Sequence, residues 1–347
     1  MLNADYVDYI KMAHESGFID NNEPVNDPSD KNQQHAPEND LNIKCLTLES
    51  FLAKEYKPRT NLLAPWLPNP GLAQIHAWRG VGKTQVALRV AYAVASGGEF
   101  LGWKAEAAQP VLYIDGEMPA AAMQERLAQI IKSSDKEPPP GYFNLINLDE
   151  QGVNGIPDLA TVEGQALFEE HIKNVKLIIV DNISTLCRNG AENKSDDWMP
   201  VQQWALRMRS EGRTVLFIHH AGKNGQQRGT SKREDVLDTV ISLTRPADYE
   251  SKQGARFVVN FEKARGIMGD AVEPIEVQLI MQPDGRESWS VLTLEESTYD
   301  KVVSMVNEGM SQSDIASELG LNKSSVSRHV KKARANGEIT VKERSNA

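Results

Sequence analysis

The sequence predicts an α/β protein: a mainly parallel sheet with helices on both faces, followed by a small all-α domain. Three observations carry this. From about residue 60 to 295, apolar strand-like runs alternate with segments whose apolar residues recur at helical spacing, the pattern of β–α–β crossovers. From residue 297 onward the pattern changes to short helices, which marks a separate module. The chain has 347 residues, 40% hydrophobic and 25% charged, enough for one large core with a smaller attachment.

Three domains are expected: an acidic segment over 1–45, an α/β domain over 46–296 and a helical domain over 297–347. In the first, "DYVDYIKMAHESGF" has the pattern of a short helix, and residues 21–40 hold almost no apolar side chains and read as a linker. In the second, "LAQIHAW", "VLYIDG", "KLIIVDN" and "TVLFIHH" read as strands. Between them "TQVALRVAYAVAS", "PAAAMQERLAQIIKSS" and "WMPVQQWALRMRSEG" read as helices. The later runs "TVISLTRP", "ARFVVNFEKAR", "IEVQLIM" and "SWSVLTL" read as antiparallel strands.

The net charge of −10 is unevenly spread. Residues 1–40 carry −7, whereas residues 311–347 carry +3, so the end able to meet nucleic acid is basic in an acidic chain. No apolar run approaches the ~18 residues of a membrane span, and no secretory leader pattern opens the chain. Cys45 and Cys187 stand far apart, without the spacing of a zinc site or redox pair. The expected location is the cytoplasm.

The stretch "HAWRGVGKTQV" (76–86) carries the first chemistry. A phosphate-binding loop needs backbone amides bent around the anion, a lysine to reach its oxygens and a hydroxyl for Mg²⁺. Arg79, Gly80, Val81, Gly82, Lys83, Thr84 and Gln85 supply these in order, after a strand and before a helix whose N-terminus also favours phosphate. Ala77 stands where the consensus has its first glycine. Lys83 is the candidate catalytic cation, and ATP the expected nucleotide.

Three more strand ends carry polar groups, and catalytic groups gather at the carboxyl edge of such sheets. "KLIIVDN" ends in Asp181, a candidate Mg²⁺ carboxylate together with the Thr84 hydroxyl. Glu117 follows "VLYIDG", on a strand expected beside the phosphate-loop strand, where a base orients water. "VLFIHH" brings His219 and His220 to another strand end, in position to sense the terminal phosphate.

"RGVGKT", "YIDGEM", "LIIVDN", "FIHHAGK", "QQRGTS" and "FEKARG", in this order, resemble the RecA-fold ATPases of plasmids and phages, among them the RepA-type hexameric replicative helicases. The resemblance covers about residues 60–295. It implies a RecA-like P-loop core in which Glu117 is the catalytic carboxylate and His220 the sensor. It also implies an arginine finger reaching the neighbouring subunit's nucleotide, matched by Arg228, with Lys263 and Arg265 as a second basic group at that boundary. A homo-oligomer, a hexamer first, follows from the same resemblance.

Two loops, 184–198 and 221–235, are candidates to line a ring's channel for single-stranded DNA. They carry Arg188 and Lys194, and Lys223, Lys232 and Arg233, but lack stacking aromatics apart from Trp198 at the edge.

The stretch "QSDIASELGLNKSSVSRHV" (312–330) fits helix-turn-helix spacing. Ile315 and Leu319 share a face, Ala316 is small at the crossing and Gly320 opens the turn. Leu321, Val326 and Val330 complete the apolar set, and Asn322 or Ser324 caps the second helix. Its outward face carries Lys323, Ser325, Ser327, Arg328 and Lys331, all able to meet duplex DNA. "GEITVKERS" is a candidate wing. Two readings stay open: a ring-forming, ATP-hydrolysing motor on DNA such as a replicative helicase, or an ATP-switched DNA-binding regulator that never unwinds.

Overall fold

The fold is given by a computed structural model, which describes residues 43–56, 58–188, 198–221 and 234–339. The expected N-terminal helix and linker, most of both candidate channel loops with Arg228, and nearly all of the candidate wing lie outside the described residues. The chain divides after Pro58 into two units. The described part of the first holds α1 (Leu48–Leu52), capped by the Thr47 hydroxyl, which accepts from Ser50 N.

In the second unit, the hairpin β1 (Thr60–Leu63) and β2 (Leu67–Asn69) leads into β3 (Gly71–Ala77) and α2 (Lys83–Ser96). A small hairpin, β4 (Glu99–Phe100) and β5 (Trp103–Lys104), precedes β6 (Val111–Asp115), α3 (Ala120–Ser133) and β7 (Phe143–Asn147). Short helices α4 (Val162–Ala166) and α5 (Glu169–Ile172) lead to β8 (Leu177–Asp181) and α6 (Ile183–Leu186). Then come α7 (Met199–Ser210), β9 (Thr214–His220), β10 (Thr239–Thr244), β11 (Arg256–Ala264), β12 (Ile275–Met281) and β13 (Glu287–Thr293).

Nine of these strands form one sheet in the order β13-β12-β11-β10-β3-β9-β8-β6-β7. From β10 to β7 neighbours run parallel, whereas β11, β12 and β13 are antiparallel. The expectation that the four later strands are antiparallel holds among themselves, and is corrected only on the other edge of β10, which pairs parallel to β3. The reason is connection length. A parallel neighbour needs a crossover of a dozen or more residues, and 221–238 supply it.

Alternate residues of the central strands enter two separate cores. Ile179, Leu216 and Ile218 pack with Val86, Val90 and Met123 on one face. Ile178, Val180, Val215 and Phe217 pack with Val201, Trp204 and Phe168 on the other. Burial on both faces explains why these strands read as unbroken apolar runs.

The C-terminal helices are α8 (Leu294–Asn307), α9 (Gln312–Glu318) and α10 (Lys323–Ala335). A Thr293–Glu296 capping box starts α8 directly from the end of β13. Val302, Ile315, Ala316, Val326, Val330, Ala333 and Ile339 form their core, with Leu319 and Leu321 packed against it. Among the described residues no helix is long and apolar enough to cross a membrane.

Candidate functional site

The loop between β3 and α2 is held in a conformation glycine alone adopts easily. Gly80 has φ +75° and Gly82 φ +137°, and a Cβ at Gly82 would stand 2.8 Å from the Phe257 ring. Gly82 is the N-cap of α2 and brings no side chain to its free N–H groups, which leaves that end open to an anion. Lys83 folds back so that its ammonium donates to Ala77 O at 3.1 Å and Trp78 O at 3.3 Å. It is 6% exposed. Burial lowers its pKa, while Asp181 and Glu117 pull the other way. A buried cation whose hydrogen bonds go to neutral carbonyls suits an incoming polyanion.

Facing it, Asp181 ends β8 and accepts from Tyr113 OH at 2.6 Å. Burial raises the Asp181 pKa, against hydrogen bonds from Tyr113 and the Thr84 hydroxyl. Asp115 lies opposite Asp181 in the β6–β8 register. It accepts from Met118 N at 3.1 Å and Asn147 Nδ2 at 2.8 Å, and burial, then Asp181, push it up to about 7. Asp115 and Asn147 thereby brace the turn that presents Glu117. The Asn182 amide donates to Glu117 Oε2 and lies 3.2 Å from His220 Nε2, which is 3.4 Å from the same carboxylate oxygen. Burial, reinforced by Lys83, lowers the His220 pKa, against the Glu117 carboxylate.

These groups border one cleft of about 440 Å³, lined by residues 79–85, Asp115, Glu117, Met118, Arg126, Asp181, His220, Gly254 and Ala255. Every expected phosphate-loop residue is there, with Asp181, Glu117 and His220; His219 is instead fully buried. One expectation is corrected: β6, which leads to Glu117, is not beside β3 but separated from it by β9 and β8. Glu117 still reaches the cleft because the turn after β6 carries it forward to Asn182 and His220. Sequence reasoning missed Asn182, Asp115, Tyr113 and Asn147. The visible signal was the paired "YID" and "IVD" endings of two neighbouring strands.

Lys263 and Arg265 do not line this chain's cleft. Lys263 bonds the carbonyls of Glu234 and Asp235, and Arg265 that of Asp235 at 2.6 Å.

At the other end, Asn322 caps α10 by accepting from Ser325 N at 2.8 Å, and Gly320 takes φ +63° in the turn. Lys323, Ser327, Arg328 and Lys331 are exposed, and Ser325 is half-buried. Apolar positions of α10 and His329 are buried, and its lysines and arginines are left to the solvent side.

A Mg²⁺–nucleotide fits the residues present. The glycines and Lys83 suit the phosphates, and Thr84 with Asp181 suits an ion that Mg²⁺-type sites hold through few protein oxygens plus phosphate.

A family model described as an AAA domain matches residues 37–226, more than half of the chain. A helix-turn-helix domain model matches residues 301–345. No curated protein matches. Among solved structures, a KaiC-like protein of the hyperthermophilic archaeon Pyrococcus horikoshii OT3 is similar at 16% identity and a TM-score of 0.46, over 68% of this chain and 99% of that one.

Proposed function

The chain belongs to the AAA-domain family, with a helix-turn-helix domain after its P-loop core, and from that premise we propose that it is a Mg²⁺-dependent ATPase with a RecA-like core, working as a ring-forming motor on DNA. The observation that supports it best is the convergence of Lys83, Thr84, Asp181, Glu117 and His220, from four separate strand ends, on one cleft. Lys83 and the loop amides bind the phosphates, and Thr84 and Asp181 hold Mg²⁺, which when bound neutralises charge on the phosphates. Glu117, steadied by Asn182, orients the attacking water, and His220 beside it senses the terminal phosphate.

In this reading the assembly is a hexamer in the cytoplasm, with single-stranded DNA in its channel and duplex DNA on α10 through Lys323, Ser325, Ser327, Arg328 and Lys331. Arg228, with Lys263 and Arg265, serves the neighbouring subunit's nucleotide. The finer role is that of a RepA-type replicative helicase or replication protein of a plasmid, phage or mobile element.

Lys83→Ala should abolish ATP turnover, and wild-type turnover in that variant would sink the assignment. Arg228→Ala should bind ATP yet turn it over poorly, and mixing it with Lys83→Ala chains should restore part of the activity. Some interfaces then pair an intact loop with an intact finger; no rescue in verified mixed oligomers would remove the shared site and the ring.

A second reading, an ATP-switched DNA-binding regulator, is favoured by the ion pairs that fasten α8 to β12 and to the β10–β11 connection. Strand displacement measured beside a duplex footprint separates the two: unwinding supports the motor, and a footprint without unwinding supports the regulator.

A further inference from the structure

We propose that residues 245–255, the connection from β10 to β11, are a strap that couples occupancy of the phosphate loop to the setting of the helix-turn-helix module. The proposal rests on the reading of the cleft as a nucleotide site. At one end, Arg245 Nη2 donates to Gly80 O at 3.1 Å, gripping the phosphate loop from outside the cleft. Its guanidinium lies 4.2 Å from the centroid of the Tyr249 ring, and Tyr249 OH donates to Gly254 O at 3.0 Å. Gly254 and Ala255 in turn form part of the cleft wall. The strap therefore meets the site twice, and a Glu250–Gln253 capping box braces it internally.

The other end is tied to α8. Asp248 accepts from Arg256 Nη2 at 2.9 Å and lies 3.3 Å from the Lys301 ammonium. Arg256 donates to Glu276 Oε1 at 2.7 Å. Glu276 Oε2 accepts from Lys301 at 2.8 Å and from Ser297 Oγ at 2.6 Å. Two acids and two bases thus form a charge-balanced cluster spanning the strap, β11, β12 and the first helix of the module.

The two anchors differ in strength, and that asymmetry makes the strap a transmitter. The Arg256 and Glu276 side chains are 7% and 9% exposed, so displacing one member would leave its partners buried and uncompensated. The buried pair fixes the cluster to β11 and β12, and Asp248 and Lys301, 30% and 22% exposed, are its more accessible link between the strap and α8. The anchor at Gly80 is a single hydrogen bond to a neutral carbonyl on exposed loop backbone, plus one cation–π contact, and is the weaker of the two. Phosphate entering the loop acts on the Gly80 peptide, whose carbonyl is the acceptor for Arg245. The strap then shifts against the phosphate loop and, through Asp248, changes its hold on Lys301 and so the setting of α8 on the sheet. Coupling is reciprocal for binding, so DNA on the module shifts nucleotide affinity by the same factor.

The test uses the full-length protein, a short random-sequence duplex followed by fluorescence anisotropy, and a non-hydrolysable ATP analogue with Mg²⁺. Wild type should change its duplex Kd by about 5–150-fold on adding nucleotide. Lys301→Met and Arg245→Ala should bring that ratio near one, while each still binds nucleotide and duplex separately. Lys301→Arg should retain the ratio, which separates loss of the link from loss of the fold. A wild-type ratio in both Lys301→Met and Arg245→Ala would overturn the proposal. So would a wild type that binds both ligands independently. A wild type that binds no nucleotide would instead remove the reading of the cleft, and the strap with it.

Discussion

The nucleotide cleft and the helix-turn-helix module bury opposite kinds of side chain. Around the cleft, Lys83, Asp115, Asp181 and Asn182 are all buried, and two carboxylates face each other across neighbouring strands. The module instead buries Val302, Ile315, Val326 and Val330, keeping its charges outside on α10. Buried charge opposes folding unless paired or bound to something, so the large two-sided sheet core sustains an arrangement the module could not. The module needs only enough apolar contact to present one polar helix face. The cleft should therefore fail chemically when altered, and the module should fail by unfolding.

The largest expected effect lies at the cleft. Glu117→Gln preserves shape and removes the base, so ATP turnover should fall about 10²–10⁴-fold, with nucleotide and duplex binding kept. Single-turnover hydrolysis beside equilibrium binding checks it. Normal turnover would put the base elsewhere, with Asp181 the next candidate.

In the module the counterpart is Ile315→Ala, at a fully buried position. It should cost about 2–5 kcal/mol, enough to melt three short helices. Circular dichroism should show that loss, and duplex binding should go with it. ATP turnover measured without DNA should persist. If turnover falls in parallel, the two regions fold as one unit and the contrast between them is wrong.

A subtler test concerns Asp115, which is held at about 7 in the fold and near 3.9 when unfolded. Its folded pKa is raised, so the folded state holds the proton more tightly. That contribution is fully present below pH ~4 and is lost as pH rises through about 7. The slope is at most ~1.4 kcal/mol per pH unit. Urea unfolding at a series of pH values should show wild type losing stability over this window relative to Asp115→Asn. Parallel curves would mean that Asp115 is ionised throughout.

Much of this was legible in the sequence, for physical reasons that differ by element. Strands buried on both faces show as continuous apolar runs, so "KLIIVDN" and "TVLFIHH" declare themselves. The glycine loop is equally plain, because its backbone conformation excludes other residues. Strand order is not local, which is why β6 was expected beside β3. Asn182 was not legible as a partner of Glu117, since 65 residues separate them and only the sheet brings them together. Nor does "TRPADYESKQGAR" announce that Arg245 grips Gly80 while Asp248 holds Lys301. Those contacts depend on where β10 and α8 come to rest.

The smallest expected effect decides a point the sequence left open, namely which residue caps α10. Asn322 and Ser324 are both competent by type, but Asn322 Oδ1 accepts from Ser325 N at 2.8 Å, while the Ser324 hydroxyl itself donates to that same oxygen at 2.6 Å. Asn322 therefore satisfies a free N–H of the first turn, and Ser324 only steadies the cap. Asn322→Ala should cost about 0.5–2 kcal/mol of module stability, whereas Ser324→Ala should stay within about 0.5 kcal/mol. Neither touches the cleft, so ATP turnover without DNA should be unchanged in both. Duplex binding should weaken for Asn322→Ala alone, because a frayed first turn loosens Lys323 and Ser325 at the start of the exposed face. Equal melting of the two variants would show that the cap is shared.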